Sequence, residues 1–158
     1  MKKVIFTEIA AVLVLALIMF CLLHEKEVKD VSLELVEQTI TENFTLDGME
    51  KAGDMRLKRA FGLSSEEYAE VLYYTPDNTM SVNELLVVKL QDESQLDTVK
   101  AAVDSRLETQ KTNFNNYGTD QTELLNNAKF LSEGNYVVFI VGKDALEELS
   151  AIRKVWEG

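Results

Sequence analysis

The side chains that most often act as nucleophiles, general bases and metal ligands are scarce in this sequence. The chain has one cysteine, Cys21, and one histidine, His24, and both lie at the end of an apolar N-terminal run. Nucleophilic catalysis needs a nucleophile with a base beside it, and zinc sites are built mainly from Cys and His. We therefore expect no Ser-His-Asp or Cys-His arrangement, no metal site and no cofactor in the rest of the chain.

Carboxylates are the abundant reactive groups. The chain has 27 Asp and Glu against 16 Lys and Arg, and its net charge is −11. Nucleic-acid binding draws on clustered Lys and Arg, so we expect no nucleic-acid partner. The segments QDESQLD and YTPDNT offer oxygen ligands but lack the spacing and the turn glycine of a calcium loop. We interpret them as a helix cap and a turn.

A few polar residues lie at the edges of predicted apolar surfaces, where their side chains need hydrogen-bond partners. Arg106 and Gln110 flank the apolar stripe of a long predicted helix, and Glu84 begins a predicted strand. Half-buried polar groups must find hydrogen-bond partners, so we predict a salt bridge between Glu84 and Arg106. A structural network is the favoured interpretation, and a network that holds a ligand is the alternative.

The five tyrosines offer a second kind of candidate surface. An exposed row of tyrosines binds sugars or peptides, but strand tyrosines more often pack with the ring buried and the hydroxyl at the rim. We favour packing for the set, which comprises Tyr68, Tyr73, Tyr74, Tyr117 and Tyr136.

The elements that must position these residues follow from hydrophobic periodicity and turn residues. Residues 28–44 predict a helix capped by Asp30 or Ser32, residues 46–53 are irregular, and a short helix ends at Gly62. Two antiparallel strands follow, in EYAEVLYYTP and NELLVVKL.

A helix follows these two strands, and the second half of the chain repeats this strand-strand-helix order. Asp92 and Gln95 predict a capping box for a long helix, and Asp120 with Glu123 predicts a second capping box for a shorter one. A hairpin around Gly134 contains an uninterrupted apolar strand over 136–141, which is typical of a central strand. The last helix carries a predicted apolar stripe of Leu146, Leu149, Ile152 and Trp156.

We therefore predict an α+β fold. It consists of an antiparallel sheet of about four strands packed with helices, and the strand-strand-helix order is used twice. Residues 28–158 are expected to form a single domain outside the cytoplasm. Residues 1–27 supply the anchor and the juxtamembrane segment.

The N-terminal run predicts a transmembrane helix. Residues 4–23 are almost wholly apolar, and roughly 20 residues at about 1.5 Å each span about 30 Å, which is the thickness of a bilayer core. Lys2 and Lys3 favour a cytoplasmic N-terminus by the positive-inside rule. The expected location is the cell membrane, with a single span and the C-terminal domain outside the cytoplasm.

Cys21 bears on how this run is processed. A cleaved signal peptide needs small residues before the cut, and a lipoprotein cysteine needs one directly before it, but Phe20 precedes Cys21. We expect an uncleaved signal anchor with Cys21 as an apolar residue in the lipid. Acylation of the Cys21 thiol is the alternative.

Four segments carry a resemblance to a known family. They are FGLSSEEYAEVLYYTP, MSVNELLVVKL, AAVDSRLETQKTNFNNYGTDQTELLNNA and GNYVVFIVGKD. Together they resemble the bacterial domain-of-unknown-function family 4358. The resemblance implies an exported Gram-positive protein, either a lipoprotein or signal-anchored, and it brings no established activity. The third segment is the most specific, and the candidate polar cluster comprises Glu84, Arg106, Gln110, Tyr117 and Gln121.

The expected function is a non-catalytic binding or interaction module at the cell envelope. Its partners are the membrane, through the N-terminal helix, and an unidentified protein or envelope ligand. The alternative is an envelope enzyme that acts on glycans or peptides through carboxylates. A third possibility is an assembly subunit in which anchor helices pack together. A deep cleft with two facing carboxylates would favour the enzyme, and a shallow face lined by tyrosines would favour binding.

Overall fold

An antiparallel sheet is the centre of the structure, a computed structural model that describes residues 13–15, 19, 28–46, 48–115 and 118–157. The five strands are β1 Met49–Lys51, β2 Glu70–Pro76, β3 Glu84–Lys89, β4 Lys129–Glu133 and β5 Tyr136–Val141. Their order across the sheet is β1-β2-β3-β5-β4, and every neighbouring pair is antiparallel.

Helices cover both faces of this sheet. The α-helices whose bounds the structure describes are α1 Leu33–Asn43, α2 Asp54–Phe61, α3 Leu96–Phe114, α4 Thr119–Asn126 and α5 Ala145–Glu157. Successive strand residues point to opposite faces, so each strand supplies two cores. Helices α2, α3 and α4 pack on one face, and helices α1 and α5 pack on the other.

Strand β5 carries both cores at once. Val137 and Phe139 face α2, α3 and α4, whereas Tyr136 and Val138 face α1 and α5. All six residues of β5 are buried, which confirms the predicted central strand. The Tyr136 ring stacks on the Trp156 ring of α5, with centroids 4.7 Å apart and planes 7° apart.

The α+β class and the repeated strand-strand-helix order are confirmed, but the sheet has five strands rather than about four. Strand β1 lies in a segment predicted to be irregular, and it pairs with β2 in the register Lys51↔Tyr74. Three residues are too few to show an alternating pattern. The strand therefore becomes visible only through its partner.

Helix ends agree with the sequence in part. The capping box of Asp92 and Gln95 is present, and α2 ends at Gly62, whose φ of 72° is favourable for glycine. Ser32 is the N-cap residue of α1, one of the two predicted, but its side chain makes no capping hydrogen bond, and the Leu33 N–H is donated to Glu70 Oε2 at 2.8 Å. The predicted capping box at Asp120 is wrong, since Gly118 precedes the first turn of α4.

The predicted stripe of the last helix is confirmed in part: Ile152 and Trp156 are buried and Leu149 packs against the core, but Leu146 is wrong. Leu146 is 58% exposed, whereas Ala145, Glu148, Ile152 and Trp156 are buried against the sheet. A glutamate on the inner face breaks the apolar pattern that the sequence prediction followed.

The predicted membrane anchor at residues 4–23 lies outside the described residues except at 13–15 and 19. Those four positions are helical, and their side chains are exposed. No helix among the described residues has the length and apolar character needed to cross a membrane.

Candidate functional site

A groove of about 460 Å³ opens where β2 ends beneath the C-terminal half of α3. We call it the Arg106 groove, and its lining includes Thr75, Ser81, Arg106, Gln110, Asn113 and Phe114. An adjoining groove of about 320 Å³ shares Arg106 and Thr75 with it and extends toward Arg56 and Arg59 of α2. Arg106 therefore lies at the junction of two openings.

Local structure explains why these residues meet. Pro76 ends β2, and the chain then crosses a loop over residues 77–83 before β3 begins at Glu84. On α3, Arg106 and Gln110 are four residues apart, and residues at this spacing share one face of a helix. The loop and this helix face form the two sides of the groove.

The predicted contact between Glu84 and Arg106 is present, and it uses both carboxylate oxygens. Arg106 Nε donates to Glu84 Oε2 at 3.1 Å, and Nη2 donates to Oε1 at 3.0 Å. The Tyr73 hydroxyl also donates to Oε1, at 2.6 Å. Glu84 is only 1% exposed, so a buried carboxylate is held by a two-point ion pair and a phenol.

Tyr73 completes this network and was not predicted to belong to it. Burial raises the pKa of the Tyr73 hydroxyl above its usual range, and the charge and hydrogen bond of Glu84 raise it further. The hydroxyl therefore stays protonated and remains a donor. The alternation of β2 puts Tyr73 on the same face as Glu84, which is the only sequence signal for this role.

Gln110 is the least satisfied polar side chain of the groove. Its side chain lines the groove, and the residue is 7% exposed. It makes no side-chain hydrogen bond to any other residue that the structure describes. The amide atoms open into the groove and are not among the fully buried side-chain atoms that lack a partner in the described residues, so the Gln110 amide is available to a bound molecule. Asn113, one turn further along α3, lines the same groove and is exposed.

The other members of the predicted cluster lie apart from this groove. Gln121 Oε1 accepts the Val82 N–H at 3.0 Å, so Gln121 fixes the loop that forms one wall instead of facing a ligand. Tyr117 lies outside the described residues. Glu84, Arg106 and Gln110 are therefore brought together at or beside the groove, and Gln121 acts through the loop.

The tyrosines form no exposed binding face in the described part of the chain. Tyr68, Tyr73, Tyr74 and Tyr136 are all buried, as expected from the packing interpretation. The hydroxyls of Tyr73, Tyr74 and Tyr136 bond inside the fold. The Tyr74 hydroxyl, for example, donates to Glu37 Oε1 at 2.6 Å. Burial and this hydrogen bond raise the pKa of Tyr74 to about 12.

A second polar cluster lies on the opposite face of the sheet and was missed in the sequence. Lys89 Nζ contacts Asp30 Oδ1 at 2.6 Å, Val31 O at 3.0 Å and Glu70 Oε1 at 3.3 Å. The Tyr136 hydroxyl donates to Val31 O at 2.8 Å and accepts the Val31 N–H at 2.7 Å. We call this the Lys89 cluster. It holds the N-terminal segment 28–31 against the sheet.

The other grooves and the metal-ligating side chains of the described residues are weaker candidates for a functional site. A groove of about 650 Å³ between α1 and α5 is lined by Asn43, Phe44, Leu146 and Lys154, among others. Across the residues described, no group of three or more His, Cys, Asp or Glu side chains is arranged to hold a metal ion. The Arg106 groove combines Arg106, with donors left over from its pair with Glu84, and the Gln110 amide in one lining.

An antiparallel sheet with helices on both faces and a polar groove beside a buried Arg–Glu pair defines a small α+β domain with a candidate ligand site. Residues 42–142 match the sequence model of the family described as Domain of unknown function (DUF4358), and the chain belongs to this family. The matched residues include all five strands and the Arg106 groove. Neither the curated proteins nor the solved structures gave a match.

Proposed function

We propose that this chain is a non-catalytic binding module that is tethered to the cell membrane and exposed outside the cytoplasm. Its ligand site is the Arg106 groove. The observation that carries this proposal is Gln110, a residue only 7% exposed whose side-chain amide lines the groove and makes no hydrogen bond to the described residues. The amide atoms of Gln110 are open to the groove, since they are not among the fully buried side-chain atoms without a partner in the described residues, and a bound ligand can replace water on them.

The chemistry of the lining supports binding over catalysis. The described residues that line the Arg106 groove provide hydroxyls, amides and one guanidinium but no carboxylate. Glu84 lies beside the groove, but its oxygens already accept hydrogen bonds from Arg106 and Tyr73. A carboxylate that is fully engaged in this way is a poor general base.

The alternative function is an enzyme that works through carboxylates on glycans or peptides. The adjoining groove gives this alternative little support. Its two acids are Glu50 and Asp77. Glu50 is paired with Arg56, and Asp77 Oδ1 accepts a hydrogen bond from Asn78. Each acid is engaged with a neighbour, so neither is poised for acid–base chemistry.

The segment that follows the proposed tether and the Arg106 groove lie at opposite ends of β3, which is compatible with a groove that stays accessible in the tethered protein. Segment 28–31 is held at the Lys89 end of β3, and Glu84 at the other end borders the Arg106 groove. Five steps along a strand at about 3.3 Å each separate these ends by about 17 Å. A chain anchored through residues 4–23 therefore presents the groove on the side away from its attachment.

Site-specific crosslinking in cells tests the ligand site. A photoreactive amino acid is introduced into the full chain at Asn113, which lines the Arg106 groove, or at Asn43, which lines the groove between α1 and α5. We expect a discrete adduct from position 113 that is absent from position 43 and is lost when Gln110→Met is added. The same adducts from both positions, or none from position 113, would contradict the proposal.

Intact-mass measurement and fractionation test the tether. We expect the purified protein to retain residues 1–27 and Cys21→Ser to leave the membrane fraction unchanged. A diacylglyceryl group on Cys21, or an N-terminus downstream of it, would show lipoprotein processing instead. Protection of the C-terminal part from protease added to intact cells would contradict the proposed orientation.

A further inference from the structure

We propose that the Arg106 groove binds a ligand that carries a free carboxylate next to a peptide amide, such as the C-terminal end of a peptide. This inference rests on the binding role proposed above and adds the ligand class. The carboxylate of the ligand meets Arg106, and its last amide group meets Gln110 and Asn113.

The guanidinium of Arg106 has a vacant side that matches a carboxylate. Glu84 occupies Nε and one hydrogen of Nη2. Arginine has five N–H donors, so three remain, and Nη1 makes no hydrogen bond to any residue in the described part of the chain. Nη1 and Nη2 form a second fork, which fits the two oxygens of one carboxylate. Glu84 holds the guanidinium plane fixed, so this fork is ordered before a ligand arrives.

Arginine side chains are concentrated at this place in an otherwise acidic chain. Three of the four arginines, Arg56, Arg59 and Arg106, line the Arg106 groove or the adjoining groove. The acids at the same two grooves are Glu50 and Asp77, which line them, and Glu84, which pairs with Arg106, so the local charge is balanced (three minus three). The whole chain carries a net charge of −11, so this balanced region repels an anionic group less than the rest of the acidic surface does.

The other residues that line the Arg106 groove favour a ligand with an amide group next to its carboxylate. Gln110 and Asn113 present side-chain amides, which both donate and accept hydrogen bonds and therefore pair with a peptide group. Pro76 and Phe114 supply apolar surface in the same groove. A bare inorganic anion would leave the Gln110 amide and this apolar surface without contacts, whereas a peptide end uses all of them.

Titration with three probes tests the ligand class. The full chain in detergent micelles is titrated with N-acetyl-alanyl-alanine, with the C-terminal amide of the same dipeptide and with inorganic phosphate. The side-chain amide NMR signals of Gln110 and Asn113 are followed. We expect both signals to shift with the free acid and the dipeptide amide to bind about tenfold more weakly or worse, because it loses charged hydrogen bonds to Arg106. Equal affinity for acid and amide, or for acid and phosphate, would overturn the assignment.

Matched variants locate the binding. Gln110→Met keeps the side-chain length without the amide, and Asn113→Ala alters an exposed position; each should weaken the free acid several-fold. Asn43→Ala, in the groove between α1 and α5, should leave its affinity unchanged. Arg106→Lys keeps the positive charge without the fork and should bring the affinities of acid and phosphate together. Unchanged acid affinity in both Gln110→Met and Asn113→Ala would overturn the proposal.

The failure of this inference is distinguishable from the failure of the proposed function. If the dipeptide acid does not bind but position 113 still crosslinks a molecule in cells, the groove is a ligand site for another chemistry. If position 113 captures nothing and the dipeptide acid does not bind, the binding role itself is wrong.

Discussion

The Arg106 network, which consists of Arg106, Glu84 and Tyr73, and the Lys89 cluster contain the same kinds of groups on opposite faces of one sheet. Each joins a cation to at least one carboxylate and a tyrosine hydroxyl, and the two lie at opposite ends of β3. They differ in what covers them. Segment 28–31 closes the Lys89 cluster, whereas the Arg106 network borders an open groove.

The burial of the acid is the second difference. Glu84 is 1% exposed, whereas the Asp30 side chain that contacts Lys89 is 81% exposed. A buried carboxylate that loses its cation cannot regain water, but an exposed one can. The same set of groups is therefore a stability requirement on one face and a modest attachment on the other.

The largest effect is expected from Arg106→Met. This variant leaves the Glu84 carboxylate buried without a cation. Breaking a buried ion pair by removing one partner typically costs about 3–5 kcal/mol. Chemical denaturation should show a loss of this size in the free energy of unfolding. The double variant Arg106→Met with Glu84→Gln should recover most of the loss, because no charge is left buried. A single variant as stable as the parent would remove the distinction between the two faces.

Lys89→Met should cost less, about 1–2 kcal/mol. Its acidic partners are partly or largely exposed and regain water, and the hydrogen bond to the Val31 carbonyl adds a modest amount. Lys100→Met is the control, because Lys100 forms only an exposed pair with Asp104 and should change stability little. A loss for Lys89→Met equal to that of Arg106→Met would mean that acid burial does not decide the cost.

Glu148 extends the comparison between the buried Glu84 and the exposed Asp30. It is a buried carboxylate with no ion pair to a cation in the described part of the chain. Burial raises the pKa of Glu148, and the nearby charges of Asp144 and Glu147 raise it further. The folded protein then holds the proton more tightly than the unfolded chain. The free energy of unfolding therefore falls as the pH rises from the ordinary value of 4.5 through the raised pKa.

Glu148→Gln should remove that loss. Calorimetry should give a higher melting temperature for the variant at about pH 7.5 and little difference at about pH 3.5, where the carboxyl is protonated in both states. Glu123→Gln removes the same charge from an exposed position of α4 and should not reproduce the effect. A melting temperature for Glu148→Gln below that of the parent at about pH 7.5 would mean that the carboxylate has a stabilising partner.

The smallest effect is expected from removal of residues 1–27. The contacts of the Lys89 cluster begin in segment 28–31, so a chain that starts at Val28 keeps them and should unfold cooperatively at an unchanged temperature. A chain that starts at Leu33 lacks Asp30 and Val31 and should melt lower. A lower melting temperature for the first truncated chain would show that residues before Val28 support the fold.

The sequence predicted the elements well where each element carries its own pattern. The apolar run of β5, the capping box at Asp92 and the glycine at position 62 are local signals, and the structure agrees with all three. Strand β1 is defined by its pairing with β2, and no pattern of three residues reveals that. Only the first residue of the predicted α5 stripe, Leu146, is wrong, because Ala145 and Glu148 occupy the core positions of the first turns.

The candidate site was predictable only in part, for a similar reason. Glu84 and Arg106 were paired because each lies at the edge of an apolar pattern and needs a partner. The Lys89 cluster depends on segment 28–31 folding back onto β3 and β5, more than 50 residues away along the chain. Tyr73 joined the network because of the register of β2 against β3. Such long-range contacts leave no periodic signal in the sequence.

One backbone hydrogen bond described within the fold links its two ends: Lys29 N–H is donated to the Trp156 carbonyl at 2.9 Å. Residues 28 and 157 therefore leave the domain side by side, near the Lys89 end of β3. A fluorescent reporter or affinity tag joined after residue 157 would emerge beside the N-terminal segment and leave the Arg106 groove unobstructed. The same adjacency makes the domain suited to circular permutation, since a short linker can join its ends and new termini can open in a surface loop.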